Sequence, residues 1–167
     1  IAGNRDFLVG DVFAAASGLT RLPDPSVIQI AGQPVVITHG DAYCTDDHDY
    51  LKFRAQVRDA RWQADFLAKP LAERKQIIAT MRDGSRAAQR EKSMAIMDVN
   101  PDTIDAAFRQ HAVRRMIHGH THRPATHQSD TGIRYVLPDW DLDHAPQRGG
   151  WLAADLAGEF HVHQITN

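Results

Sequence analysis

The stretch Met116-Ile117-His118-Gly119-His120-Thr121-His122-Arg123-Pro124 sets three imidazoles at alternate positions directly after an apolar run. Alternate residues of an extended segment project to one side, so the spacing predicts that His120 and His122 face one cleft, with Gly119 allowing close backbone approach. Two earlier turns are built in the same way: Gly3-Asn4-Arg5-Asp6, and the run Val35-Val36-Ile37-Thr38 ending in His39-Gly40-Asp41. Each is a polar tip on an apolar strand. Neutral imidazole nitrogen and amide oxygen suit manganese, iron or zinc, so Asn4, His39, His120 and His122 are the candidate ligands of a divalent site with hydrolytic chemistry.

The order of these tips resembles the second half of the calcineurin-like metallophosphoesterase pattern, in which GN-x-[DE], a strand-end His and GH-x-H feed a two-metal centre. Four blocks sharpen the likeness: Gly3-Asn4-Arg5-Asp6-Phe7-Leu8, then His39-Gly40-Asp41-Ala42-Tyr43-Cys44-Thr45-Asp46-Asp47, then Ala95-Ile96-Met97-Asp98-Val99-Asn100, and finally His118-Gly119-His120-Thr121-His122-Arg123-Pro124-Ala125. Together they resemble the UDP-2,3-diacylglucosamine pyrophosphatases of lipid A synthesis, over nearly the whole chain. Most related phosphoesterases carry His where this chain has Arg5. A guanidinium stays charged near neutral pH, so Arg5 reads as a clamp for phosphoryl oxygens rather than a proton donor.

The resemblance implies an α/β fold, a calcineurin-like sandwich of two mixed β-sheets flanked by helices, with a helical lid inserted at about 52–95. It implies two divalent ions, Mn²⁺ by family, with Asn4, His39 and His120 serving one ion and His122 the other. The family's opening Asp-x-His strand and Gly-Asp-x-x-Asp turn lie outside this sequence. The expectation is therefore that residues 1–167 are the C-terminal two-thirds of one domain, lacking an N-terminal segment of roughly 70 to 80 residues, and are inactive alone. Asn4, Arg5 and His120 are the implied catalytic residues, and Asp47, Ser85, Gln89 and Lys92 join them in contacting substrate. Gln89 stands where Asn is commoner, keeping an amide on a longer stem. Ser85, after Gly84, has the simpler reading of a helix cap.

The implied reaction is hydrolysis of the pyrophosphate of UDP-2,3-diacylglucosamine, releasing UMP and 2,3-diacylglucosamine 1-phosphate. Two alternatives stay open: a metallophosphoesterase for soluble nucleotides, and a lipid-nucleotide binding module without catalysis.

Composition fits a globular enzyme, with 43% hydrophobic and 24% charged residues in 167, enough for one sizeable core. The single cysteine, Cys44, excludes an internal disulfide and reads as a small buried thiol. No apolar run reaches the ~18 residues of a membrane span. Asp11 to Gly18 predicts a helix stopped by glycine, residues 26–30 and 34–38 predict strands around Gly32, and Asn100-Pro101 opens a helix with Ile104, Ala107, Phe108 and Ala112 on its apolar face. Residues 114–118 return as the strand delivering the histidines. Residues 133–137, 151–156 and 159–165 complete a strand-rich tail, the last two joined as a hairpin at Ala157-Gly158.

Charge is segregated. Residues 52–92 hold eleven Lys and Arg against five acids, net +6, whereas the chain totals −2. Trp62, Phe66, Leu67, Leu71, Ile77, Ile78 and Met81 recur there at mostly helical spacing, predicting amphipathic helices broken near Pro70 and Gly84. Apolar faces in such a lid suit acyl chains, and its basic residues suit a pyrophosphate and an anionic membrane surface. The expected location is cytoplasmic, peripheral on the inner membrane. Nucleic acid is not an expected partner, because the basic stretch is balanced elsewhere and no reader module is present. Strict alternation places His118 beside His120, where packing is its first reading and support of a ligand stays open. His127 is close enough to orient a ligand, and the other histidines read as surface residues.

Overall fold

The computed structural model describes residues 1–91 and 96–165, except the side chains at 86 and 89–91. Local chemistry sets the first elements. Helix α1 (Asp11–Ser17) stops at Gly18, which takes a left-handed φ of 71° and returns its N–H to the Ala14 carbonyl. Strands β1 (Ser26–Ile30) and β2 (Gln33–Thr38) are antiparallel around Ala31 and Gly32, whose φ values of 48° and 74° are those a two-residue hairpin requires.

After β2 the chain makes a short 3-10 turn (Asp41–Tyr43) and enters three helices: α2 (His48–Arg58), α3 (Ala60–Leu67) and α4 (Leu71–Glu91). Asp47 and Asp59 cap the first two, accepting from the N–H groups of Tyr50 and Trp62. The expected break near Pro70 is present between α3 and α4. The break near Gly84 is not: α4 runs through it, because one glycine costs a helix only ~1 kcal/mol, which a long helix absorbs. Ser85 consequently sits inside α4 and caps nothing.

Helix α5 (Pro101–His111) opens as expected, with the Asn100 side chain accepting from the N–H groups of Asp102 and Thr103. Ile104, Ala107 and Phe108 are buried. Ala112 is exposed and ends the helix at φ 52°, so it leaves the apolar face assigned to it. Strand β3 (Arg115–His118) follows, then β4 (Ala125–Gln128), which the polar Thr126-His127-Gln128 gave no reason to expect, and β5 (Ile133–Val136).

One mixed sheet of order β1-β2-β3-β5-β4 results, with β2, β3 and β5 parallel to their neighbours in that run and the two outer strands antiparallel. Strands β6 (Gly150–Ala154) and β7 (Phe160–Gln164) form a separate antiparallel pair, so among the described residues only the larger sheet is mixed. Val36, Met116, Phe108, Ile104, Val99, Val113 and Cys44 make the core between the sheet and α5. Burying a side chain such as Met116 contributes ~1.5–3 kcal/mol. The register Val36 to Met116 and Thr38 to His118 brings the ends of β2 and β3 to one edge of the sheet. No described helix is long and apolar enough to cross a membrane.

Candidate active site at the strand tips

Because β2 and β3 are parallel neighbours, His39 and Gly119 follow their last residues side by side, and the Gly119 N–H donates to the His39 carbonyl at 3.1 Å. His120 then comes back against His39, ring centroids 4.9 Å apart and nearly edge-on, and Tyr50 of α2 closes over it at 5.5 Å. The opening loop lies on the same spot. The Asn4 N–H donates to His39 Nε2 at 3.3 Å, and Gly3 packs so tightly that a Cβ there would meet His39 Cε1 at 2.9 Å. Asn4, His39 and His120 are thus brought together, and Arg5 is exposed beside Asn4.

The histidine segment is not extended, contrary to the reading of its spacing. His120 and His122 both adopt left-handed backbone, φ 66° and 54°, and the Thr121 N–H turns back to the Gly119 carbonyl at 2.8 Å. The reason is that Gly119 ends the ladder, leaving the residues beyond without strand partners. His122 points its Nδ1 at Asp139 Oδ2, 3.6 Å away, with its side chain 66% exposed. Asp139 is itself held by Arg148 at 3.0 Å. Arg123, next along, pairs with Asp98 at 2.8 Å, fastening the turn to the segment before α5.

Protonation follows from burial. Burial lowers the His39 pKa below that of a free imidazole, only partly opposed by Asp41 and Asp24. His120 falls to about 4, first through burial and then through the neighbouring His39. Both rings are neutral at pH 7, the form that ligates metal, and an ion at His39 Nε2 would take the place of the Asn4 N–H now bonded there. That donor set fits one face of a divalent ion. Among the described residues no three His, Cys, Asp or Glu side chains form a metal-sized group, so these residues alone do not complete a site.

His118 is 1% exposed. Its Nδ1–H donates to the Gly119 carbonyl at 2.9 Å and its Nε2 accepts from Arg134 at 3.0 Å, while burial holds its pKa at about 4. It packs and braces the turn, the first reading given to it. Cys44 is buried, with its thiol pushed up to about 12 by burial. His127 lies on the exposed edge strand β4. Asp47 is buried as the cap of α2, and Ser85 takes an exposed position on α4. Gln89 belongs to α4 but its side chain lies outside the described residues, as does Lys92 altogether.

Comparison with known proteins places the chain. No family model matches it. It is 50% identical over 161 residues to the UDP-2,3-diacylglucosamine hydrolase of Bordetella pertussis, covering 93% of this chain and 62% of that protein. To the protein of the same name from Stenotrophomonas maltophilia it is 45% identical over 173 residues, covering 95% of this chain and 70% of the relative.

The chain belongs to the UDP-2,3-diacylglucosamine hydrolase family.

A third member, from Chromohalobacter salexigens, is 48% identical over 142 residues. The chain spans about 62% of the length of the Bordetella hydrolases it matches.

Beneath the tips the structure also assembles a buried network that sequence reasoning did not assign to the site. Asp41 is 0% exposed; its Oδ2 accepts from Tyr50 Oη at 2.8 Å and Arg58 Nη2 at 3.4 Å and pairs ionically with Arg54 Nε 3.0 Å away. Asp24 accepts from the His39 N–H at 3.2 Å and from Thr38 Oγ1, with Arg54 3.8 Å from its other oxygen. The spacing of Tyr50, Arg54 and Arg58 at four-residue intervals, one helix face, is the signal that points to such a stripe.

Proposed function

We propose that this chain carries part of a metal-dependent active site that hydrolyses the pyrophosphate of UDP-2,3-diacylglucosamine to UMP and 2,3-diacylglucosamine 1-phosphate, a step of lipid A biosynthesis. The observation that carries the reading is the meeting of Asn4 with two neutral imidazoles, His39 and His120, at adjacent parallel strand ends. It is supported by relatives whose names state that substrate. In this reading Asn4, His39 and His120 hold one divalent ion, Mn²⁺, and His122, supported by Asp139, serves a second. The remaining ligands lie in the part of the relatives' length that this chain does not span. A bound divalent ion supplies charge neutralisation at phosphoryl oxygens and makes hydroxide accessible near neutral pH.

The chain's own residues do the rest. Arg5 sits exposed beside Asn4 with a permanent charge for the phosphoryl oxygens. Burial keeps His39 and His120 unprotonated, so neither repels an ion. A groove of about 270 Å³ lined by Trp62, Phe66, Ile77 and Met81 offers an apolar surface for an acyl chain, with Lys69 at its edge. The basic helices suit peripheral contact with an anionic inner-membrane surface.

The test is UMP release from UDP-2,3-diacylglucosamine with Mn²⁺, by this chain alone and by a protein extended to the family's full length. The full-length form should release UMP, the chain alone should not, and His120→Ala in the full-length form should abolish release. Release that survives both His120→Ala and a chelator sinks the reading. Tight binding of the lipid nucleotide without release by the full-length form would favour a binding module instead.

A further inference from the structure

The four-residue stripe on α2 does more than neutralise Asp41. Tyr50 and Arg54 meet the carboxylate from one side, and Arg54 also faces Asp24. Arg58 differs: the Nη2 that lies 3.4 Å from Asp41 also donates to the Ala2 carbonyl at 3.0 Å and reaches the Gly3 carbonyl at 3.5 Å. The Gly3 carbonyl and the Asn4 N–H belong to one planar peptide unit and point in opposite directions. Whatever fixes that carbonyl therefore fixes the N–H, and this N–H is the group that donates to His39 Nε2.

We propose that Arg58 is a positioning residue of the candidate site: anchored by buried Asp41, it grips the Ala2 and Gly3 carbonyls and so turns the Gly3–Asn4 peptide, and Asn4 with it, toward His39. The proposal rests on reading Asn4 and His39 as working parts of that site. Arg58 suits the task because a guanidinium serves a carboxylate and carbonyls together, and Asp41 holds the charge in place where the side chain is only 22% exposed. The first helix of the insertion thereby sets the opening loop directly. Helix α3 adds to the same hold, with Gln63 Nε2 donating to the Phe7 carbonyl at 3.3 Å and Trp62 packing 6.2 Å from the Phe7 ring.

Amide hydrogen exchange, read residue by residue by NMR on the whole chain, tests this without relying on activity. In Arg58→Met the Asn4 amide should exchange about tenfold faster or more, while the Gly119 amide, bonded to the His39 carbonyl and not to the opening loop, keeps its protection. Arg58→Lys, which can still reach Asp41, should recover part of the Asn4 protection. If Arg58→Met does not fold, Arg58→Lys alone decides, with Asn4 faster than in the parent chain and Gly119 unchanged. An unchanged Asn4 amide overturns the proposal, and so does an equal acceleration at Asn4 and Gly119, which marks general loosening. Absence of UMP release from the full-length form would sink the proposed reaction yet leave the Asn4 result to decide the role of Arg58.

Discussion

Asp41→Asn is the sharpest probe of the network under the site, since it keeps the side chain's size and one acceptor but removes the charge. Tyr50 donates to Asp41 Oδ2 at 2.8 Å and Arg58 at 3.4 Å, while Arg54 Nε lies 3.0 Å away as an ion pair without hydrogen-bond alignment. Bonds to charged groups contribute ~1.5–3 kcal/mol against ~0.5–1.5 for neutral ones, so neutralising Asp41 loses about 1 kcal/mol at each close contact. The amide oxygen keeps the Oδ2 place and the new N–H₂ takes that of Oδ1, buried without a partner, which costs about 1 kcal/mol more. Arg54 and Arg58 remain about one-fifth exposed, so water relieves part of this, and a net loss of about 2–3 kcal/mol is expected. In urea, with a slope of about 2 kcal/mol/M, the unfolding midpoint should fall by roughly 1–1.5 M.

The same substitution carries a pH signature. Burial alone would raise the Asp41 pKa, but Arg54, Tyr50, His39 and Arg58 together hold it below the ordinary carboxylate value. A depressed carboxylate contributes stability above its unfolded pKa of ~3.9 and loses it as pH falls through the lower folded value. Asp41 also supports protonation of His39 and His120, so the gap between parent and Asp41→Asn should be flat above ~6.5, widen as those rings titrate, and narrow only below ~4. A gap under 0.5 kcal/mol (roughly the scatter for surface changes) at pH 7, or one that keeps widening below ~4, would refute the reasoning.

Four further outcomes follow from individual residues. His39, His118 and His120 all have folded pKa values below that of free imidazole, so their stability is complete above ~6.5 and falls on acidification at up to ~1.4 kcal/mol per pH unit each. Denaturant titrations at pH 7, 6 and 5 should show the decline, and a His118 ring resonance that titrates near 6.5 would contradict it. Gly40→Ala forces an L-residue to φ 106° and a Cβ to 2.8 Å from His118 Nδ1, a loss of ~2 kcal/mol or more, lowering Tm by about 4–8 °C. Gly18→Ala, at φ 71° in open space, should cost only the left-handed backbone, ~1 kcal/mol. Asn100→Ala removes the cap of α5 and should cost ~1 kcal/mol by urea unfolding, with less than 0.3 counting against a capping role.

The parts of this protein legible in its sequence are those governed by local rules. Gly18, Asn100-Pro101 and the Val/Ile runs of β1 and β2 specify their elements through backbone freedom, capping and side-chain branching, and each acts within a few residues. The strand-tip histidines were legible as a set, since apolar runs ending in His39 and His118-Gly119-His120 announce where strands stop. Their conformation was not. Period-two spacing assumes a ladder, and the ladder ends at Gly119, so His120 and His122 turn through left-handed backbone instead of continuing the strand. Asp41 escaped because its importance comes from α2 crossing above it, a contact that no local pattern encodes, though Tyr50, Arg54 and Arg58 at four-residue intervals mark the face concerned. Strand β4 escaped because an exposed edge strand buries nothing and needs no apolar alternation.

The parallel pairing of β2 with β3 has a consequence for how this architecture tolerates change. Everything between them, from Asp41 to Arg114, is one crossover leaving and rejoining adjacent strands whose register is fixed by Val36 against Met116. Lengthening, shortening or replacing α3 and α4 therefore cannot slide His39 past His120. The tolerance stops short of α3, where Trp62 packs on Phe7 and Gln63 Nε2 donates to the Phe7 carbonyl of the opening loop. The helical segment divides into a fixed hinge plate, α2 with α3, and an exchangeable cover, α4, so the cover can change while the strand-end groups keep their spacing.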